Sequence, residues 1–151
     1  MTTSVSGIEE LATMVGQHLG YSEYQTVSQD QVNLFATATG DHQWIHEDVE
    51  RAKKGPFGGT IPHGYLTLSL LPVLLSGVLR VDGVAMGVNY GTNKVRFTKP
   101  VPVGSSIRAG ATLASVEPFD GGATVALDTV IEIEGSDKPA CVAQVIYRYY
   151  N

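Results

Sequence analysis

The sequence predicts a single α+β domain, residues 1–151, in which a curved antiparallel sheet wraps around one long central helix. Two observations support this prediction. The second half of the chain alternates apolar and polar residues in runs separated by turn sequences, as antiparallel strands do. The first half contains an apolar stretch, residues 64–79, with the length of one buried helix. A chain of 151 residues can give such a domain a substantial core.

The N-terminal segment is predicted to form a short amphipathic helix. Ser6 and Glu9 have the spacing of a capping box, in which each residue bonds the other's backbone N–H. The helix should end before Gly16. Its apolar face consists of Ile8, Leu11 and Val15.

A strand, a second helix and a surface segment are predicted next. Residues 20–27 form the strand. Ser28 and Gln31 repeat the capping-box spacing, and apolar residues at helical intervals follow. Gly40 ends this helix, because glycine adopts the left-handed conformation at low cost. Residues 47–60 are polar and glycine-rich, which predicts an excursion over the surface.

The central helix, residues 64–79, is apolar on every side, so it should be covered on every side. Pro72 lies inside it and removes one backbone hydrogen bond. Proline costs about 3 kcal/mol within a regular helix, so we expect a kink there.

Three later segments alternate with the period of a strand. Turn sequences at residues 120–122 and 135–139 separate them, which predicts an antiparallel meander. One face of these strands is apolar and should pack on the helix; its members are Ile107, Ala109, Ala111, Leu113, Val125, Leu127, Thr129, Ile131, Ile133, Cys141, Ala143, Val145, Tyr147 and Tyr149.

Composition excludes several classes of function. The net charge is −5 and no basic run occurs, which argues against a nucleic-acid partner. Cys141 is the only cysteine, so the chain has no disulfide framework and no cysteine-based zinc site. No signal peptide is recognisable, and the apolar run of residues 65–79 is too short to span a membrane. We expect a cytoplasmic protein.

Asp41 and His46 are the most informative residues, because they place a carboxylate and an imidazole five positions apart at a helix exit. An aspartate side chain ordinarily ionises near pH 4 and a histidine near pH 6.5, so such a pair can accept and return a proton at neutral pH. Converging on one water, the pair could add that water to an activated double bond or remove it. The alternative is that Asp41 caps a turn and His46 is an ordinary loop histidine.

Three motifs together resemble one family. Residues 40–46, Gly-Asp-His-Gln-Trp-Ile-His, resemble the Gly-Asp-x-Asn-Pro-hydrophobic-His motif of MaoC-like (R)-specific enoyl-CoA hydratases and 3-hydroxyacyl-thioester dehydratases. Residues 61–66, Ile-Pro-His-Gly-Tyr-Leu, are similar to the entry of that family's central helix. Residues 95–101 with Gly104 resemble its Arg-Phe-x-x-Pro-Val-x-x-Gly signature. The resemblance covers about residues 15–150.

The resemblance implies a hot-dog fold and the reversible syn addition of water to a trans-2-enoyl thioester. It implies Asp41 and His46 as catalytic residues and leaves open which of them is the formal base. The first N–H groups of a helix lack partners, so the Gly64 N–H is a sensible donor to the thioester oxyanion, and the resemblance implies the same role. No cofactor is implied.

The sequence departs from the family pattern at three positions. Gln43 replaces the usual Asn and Trp44 the usual Pro, so the loop between Asp41 and His46 should be held differently. Several family members carry a Ser at the position of Pro72. Ser69 lies one turn earlier, and its role does not follow from the resemblance.

The histidine spacing is also compatible with a metal site. His42 and His46 have i,i+4 spacing, but a metalloprotease helix would have a Glu where Gln43 stands, so we expect no metal. Gln43, His63 and Tyr65 are the candidates for substrate contact.

The resemblance further implies an acyl-CoA or acyl-carrier-protein thioester as substrate, and a homodimer. The candidates for contacting a CoA arm are Lys94, Arg96, Lys99, Lys53 and Lys54. Three bulky residues of the helix, Leu68, Leu71 and Leu75, should close the acyl tunnel and favour short or medium acyl chains. The alternative functions are a hot-dog acyl-CoA thioesterase, which usually needs a carboxylate on the central helix, and a non-catalytic thioester-binding module.

Overall fold

A six-stranded sheet and six short helices make up the fold, in a computed structural model that describes all residues, 1–151. Neighbouring strands in the sheet pair antiparallel in the order β2-β6-β7-β8-β5, and β3 pairs with β6. The strands are β2 His18–Tyr21, β3 Gln25–Thr26, β5 Met86–Phe97, β6 Ser106–Phe119, β7 Gly122–Ile133 and β8 Cys141–Tyr150. A separate parallel pair joins β1 Thr3–Val5 to β4 Leu79–Val81. The helices are α1 Ile8–Ala12, α2 Gln29–Thr39, α3 Trp44–Glu47, α4 Val49–Lys53, α5 Gly64–Ser69 and α6 Leu71–Leu75.

Strands β6, β7 and β8 form the predicted meander. Residues at alternate positions are buried, such as Ile107, Leu113 and Leu127, whereas Asp128 on the opposite face is exposed. Gly121 turns the chain between β6 and β7 with a φ of 98°. The buried face belongs to one hydrophobic core, to which α5 and α6 contribute four leucines, Leu66, Leu71, Leu74 and Leu75.

The predicted central helix is shorter and divided. α5 and α6 are separated at Leu70, and Leu79 already belongs to β4, so the prediction of one helix over residues 64–79 was wrong in length. The break has the expected cause, because Pro72 lacks an N–H and occupies the first turn of α6. Leu70 remains in a helical conformation, and its N–H bonds the Leu66 oxygen at 3.0 Å. Helical hydrogen bonding therefore continues through Leu70, whose oxygen accepts from the Leu74 N–H of α6 at 3.0 Å.

Coverage of this helical unit is incomplete within one chain. Tyr65 has 72% of its surface exposed and Val73 has 50%, so the expectation that every side is covered was wrong for the single chain. None of the six helices has the length and hydrophobicity needed to cross a membrane.

Two details at the N-terminus differ from the prediction. Ser6 donates from its N–H and its hydroxyl to Glu10 rather than pairing with Glu9, because the helix begins one residue later, after Gly7. The predicted strand over residues 20–27 is divided into β2 and β3. Ser22 interrupts it, and its hydroxyl accepts a bond from the Ala109 N–H at 2.9 Å.

Helix α2 forms as predicted. The Ser28 hydroxyl accepts a hydrogen bond from the Gln31 N–H at 3.1 Å, and Gly40 ends the helix with a φ of 83°. The segment of residues 47–60 is largely exposed, as predicted, but it contains α4, which Asp48 caps by accepting from the Arg51 N–H.

Candidate active site

Asp41 leaves the end of α2 in a defined direction. Gly40 closes the helix through an N–H bond to the Ala36 oxygen at 2.8 Å, and Asp41 follows at once. One carboxylate oxygen of Asp41 accepts from the Gln43 N–H at 3.3 Å, so the turn-capping alternative is partly realised. This bond is long and uses one of the two oxygens. The other oxygen of the exposed carboxylate remains available for chemistry.

His46 lies on the short helix α3 rather than in a loop, and 6% of its surface is exposed. Its Nδ1 is 2.7 Å from the main-chain oxygen of Ile61. A carbonyl oxygen only accepts, so Nδ1 carries the hydrogen and Nε2 has the lone pair in the neutral ring. Nε2 makes no hydrogen bond to the protein. His46 therefore presents a proton-accepting nitrogen in a fixed orientation.

A partly buried amide that the sequence did not point to supports His46. The Gln29 side chain donates to the His46 main-chain oxygen at 2.7 Å and accepts from the Thr60 hydroxyl at 2.6 Å. Gln29 thus connects the start of α2 to α3 and to the segment before α5. Nothing in the local sequence distinguishes this glutamine from an ordinary first-turn residue.

The structure brings Asp41 and His46 together with a third residue, His63. The Asp41 carboxylate and one ring nitrogen of each histidine all lie within 4.8 Å of one another. The rings of His46 and His63 are stacked, with centroids 3.8 Å apart and planes inclined by 24°. In-plane lone pairs of two nearly parallel rings do not converge well on one ion, and His42, the other metal candidate, is turned towards Glu47 at 2.9 Å.

A cavity of about 280 Å³ adjoins this cluster. His46, Gly64 and Thr67 line it together, and apolar side chains such as Ile45 and Val101 form its walls. It lies between the start of α5 and the end of β5 and is open to solvent on one side, and most of its lining surface is apolar.

Gly64 combines an unpaired backbone N–H with close packing against Phe97 at this cavity. His63 is the N-cap of α5 and gives it no side-chain bond, and the N–H groups of Gly64 and Tyr65 make no hydrogen bonds. A Cβ atom at Gly64 would lie 3.0 Å from the Phe97 ring. Glycine is therefore needed for close packing, and it also leaves a free backbone donor at the cavity.

Comparison with known proteins decides the family. Residues 10–134 match the model of the MaoC-like domain. The chain belongs to the MaoC-like dehydratase family. This confirms the family inferred from the three motifs and makes the protein an enzyme of the hydro-lyase class.

Two curated relatives are similar over nearly their whole length. The chain is 54% identical over 143 residues to 3-hydroxyacyl-thioester dehydratase Z of Mycobacterium tuberculosis, covering 94% of this chain and 95% of that protein. It is 43% identical over 143 residues to nodulation protein N of Rhizobium leguminosarum, covering 92% and 88%.

Solved structures confirm the hot-dog fold. A monoamine oxidase regulatory protein from Archaeoglobus aligns with a TM-score of 0.78 at 25% identity, covering 100% of this chain and 98% of that one. An R-hydratase from Pseudomonas aeruginosa aligns with a TM-score of 0.73 at 21% identity, covering 96% and 86%.

The MaoC-like motif departs from its usual form at Trp44, and the structure shows how the loop is held instead. Trp44 is the first residue of α3, and its ring lies 4.2 Å from the Arg51 guanidinium of α4. A Cβ atom at Gly55 would lie 3.1 Å from the same ring. The tryptophan thus joins α3 to the segment that follows it.

The remaining candidates lie outside the cavity. Gln43 and Tyr65 are exposed and His63 is buried, and none of the three lines the space beside His46. Ser69 is exposed and donates to the Tyr65 oxygen at 2.6 Å, so it does not replace the family Ser in this cavity.

Thr67 is a cavity residue that sequence reasoning missed. It is 4% exposed, it lines the cavity one turn after Gly64, and its hydroxyl makes no hydrogen bond to the protein. Its spacing of three residues from Gly64 on one helix was the available signal.

Proposed function

We propose that the protein is an (R)-specific enoyl-CoA hydratase. It would add water reversibly and with syn geometry to trans-2-enoyl thioesters, giving (R)-3-hydroxyacyl thioesters in fatty acid metabolism. The observation that carries the proposal is the convergence of Asp41 and His46 beside a cavity that Gly64 also lines. The name of the mycobacterial relative states the same class of substrate, and this supports the proposal.

In the hydration direction, Asp41 and His46 hold the attacking water. Their polar atoms lie within 4.8 Å without a direct hydrogen bond, which allows one water to bond to both. The water attacks C3 while one of the two residues takes its proton, and a proton is delivered to C2 from the same face. Positioned acid–base groups of this kind contribute about 10²–10⁴-fold. His46 Nε2 and the Asp41 carboxylate both remain candidates for the base.

Negative charge builds on the thioester oxygen as C3 is attacked, and Gly64 would stabilise it. Its N–H has no other partner, and no side chain stands between its backbone and the cavity. One preorganised donor of this kind is typically worth about 2.7–4 kcal/mol of barrier.

The two competing functions have less support. A hot-dog thioesterase would need a carboxylate on α5 or α6, and neither helix contains Asp or Glu. A non-catalytic module would not need Asp41 and His46 to converge.

Incubation with trans-2-butenoyl-CoA separates the three functions. Hydration removes the absorbance of the conjugated thioester without releasing thiol, hydrolysis releases CoA thiol, and a binding module does neither. Burial raises the pKa of Cys141 to about 11, so the protein's own thiol should contribute little background to thiol detection. Unchanged conjugation with no thiol released would contradict the proposal.

A homodimer is part of the proposal. β5 is an edge strand of the sheet and is exposed along nearly its whole length, and such edges are usually protected or paired. Apolar side chains lie on it and on the neighbouring helices, including Val88 at 41%, Tyr90 at 58% and Val73 at 50% exposure. A second copy that covers this surface would also complete the burial of Tyr65.

The proposed substrate is an acyl-CoA or acyl-carrier-protein thioester, and one of the five predicted cationic contacts lies at the site. Lys99 lines the cavity beside His46, with its ammonium group 2.8 Å from the Ser136 hydroxyl. Lys94 and Arg96 line a different depression on the outer face of the sheet, and Lys53 pairs with Glu50 on α4. We also propose a cytoplasmic location, since the free buried Cys141 requires no oxidising compartment.

A further inference from the structure

We propose that His63 is a positioning residue that holds Asp41 and His46 in their relative geometry. This inference rests on the proposed hydration reaction and assigns His63 a role other than the substrate contact expected from the sequence. Its ring is 3% exposed and does not line the cavity, so it acts on the reaction through its neighbours.

The first link is to the backbone of Asp41. His63 Nε2 lies 2.9 Å from the Asp41 main-chain oxygen, and because that oxygen only accepts, Nε2 is the donor. This bond spans 22 residues and ties the exit of α2 to the start of α5. The bond fixes the backbone position of Asp41, from which its exposed carboxylate extends.

The second link is to the ring of His46. The two imidazoles are stacked at 3.8 Å, and the Phe35 ring of α2 lies 4.9 Å from His63 at 58°. His63 is thus packed against rings from α2 and α3. The Ile61 bond alone leaves the His46 ring free to tilt about its Nδ1, and the stacked His63 ring limits that tilt.

The second ring nitrogen of His63, Nδ1, supports a positioning role. With the hydrogen on Nε2, Nδ1 of the neutral ring is an acceptor, and this atom is buried without a partner. A buried polar atom without a hydrogen-bond partner destabilises the folded state. A phenylalanine would pack here without an unpaired polar atom. The imidazole at this position therefore points to the hydrogen bond that its Nε2 makes to the Asp41 main-chain oxygen.

Two substitutions separate the two links. His63→Gln keeps an amide donor near the Nε2 position but loses the stacking ring, whereas His63→Phe keeps a ring and loses the donor. Each should lower kcat about tenfold to a hundredfold, with KM changed less than about threefold, because small misplacements of reacting groups are costly. His18→Gln, at an exposed position on β2, is the matched control and should retain the wild-type kcat.

Double mutants identify the residue through which His63 acts. The loss caused by His63→Gln should disappear in a His46→Ala background, and the loss caused by His63→Phe should disappear in an Asp41→Ala background. Losses that persist unchanged in these backgrounds, a KM effect without a kcat effect, or wild-type kcat in both His63 variants would overturn the proposal.

Ring-nitrogen NMR gives a readout that does not need turnover. In the wild type, the neutral His46 ring should carry its hydrogen on Nδ1 alone, and in His63→Gln a fraction should carry it on Nε2. If the wild-type protein hydrated no enoyl thioester, the proposed function would fail while this measurement still decided the role of His63. An unchanged His46 tautomer in both His63 variants would then count against positioning.

Discussion

The imidazole Nδ1 of His46 lies 2.7 Å from the main-chain oxygen of Ile61, three residues before Gly64. The N–H of Ile61 in turn bonds the Ile45 oxygen at 3.1 Å. These bonds join α3 to the segment that enters α5. The proposed acid–base residue and the proposed oxyanion donor are therefore held by one short stretch of backbone, which limits their relative motion.

Substitution of the two catalytic candidates should reduce turnover and leave the fold intact. Asp41→Asn and His46→Ala should each lower kcat for a short enoyl-CoA by about 10²–10⁴-fold, because each removes one proton-handling group. His42→Ala is the matched control, since His42 is exposed and pairs with Glu47. Near-native rates in both site variants would show that the site has been assigned wrongly.

Gly64→Ala tests whether glycine serves packing alone. The added methyl group would lie 3.0 Å from the Phe97 ring, so the single variant should displace this ring and lose activity. Phe97→Leu provides space for the methyl group. If packing were the only requirement, the double variant would recover the activity of Phe97→Leu alone. We expect it to remain at least about tenfold lower in kcat, because the methyl group also hinders the approach of the thioester to the backbone donor.

Thr67 and Thr129 form a contrasting pair of buried threonines. The Thr67 hydroxyl lines the cavity without a partner, whereas the Thr129 hydroxyl donates to the Ala143 oxygen at 2.7 Å. Thr67→Val should lower kcat/KM about threefold to tenfold with little change in Tm, the effect of one hydrogen bond to substrate or water. Thr129→Val should instead lower the free energy of unfolding by roughly 1 kcal/mol. Unchanged kinetics in Thr67→Val would exclude a role for that hydroxyl.

The parts of the fold that could be predicted from the sequence are those set by interactions between neighbouring residues. The Ser28 cap and the Gly40 stop depend on neighbouring residues alone, so α2 and the starting point of Asp41 were predicted correctly. The strand alternation was equally local. The length of the central helix was not predictable from local sequence, because residues 79–81 pair with β1 near the N-terminus.

The supporting groups of the site could not be predicted, because they depend on contacts between distant residues. The Gln29–Thr60 bond spans 31 residues and the His63–Asp41 bond spans 22. Neither leaves a periodic signal in the sequence. The motif resemblance supplied Asp41, His46 and Gly64, but it gave no information about Thr67 or about the stacking of the two histidines.

Assembly is tested at the exposed edge strand. Light scattering at micromolar concentration should give twice the mass of the chain. Val88→Lys on β5 should shift the protein towards monomer, since lysine on an edge strand opposes pairing. Val142→Lys places the same residue at a similarly exposed position, 40% against 41%, on the interior strand β8, and should leave the dimer intact. A monomeric wild-type protein would contradict the dimer.

Chain-length preference should follow the size of the cavity beside His46. That cavity is about 280 Å³, and Leu71 and Leu75, at 1% and 5% exposure, are packed in the core rather than leaving a deep channel. We therefore expect good activity on a four-carbon enoyl-CoA and falling kcat/KM for longer chains. Val101→Ala, in the cavity wall, should extend the accepted chain by about one or two carbons, whereas Val125→Ala, buried on β7 outside the cavity, should lower stability without changing preference. A chain-length series in which kcat/KM rises steadily beyond about ten carbons would show that the acyl chain leaves this cavity by another route, such as the gap of about 330 Å³ lined by Leu68 and Pro72.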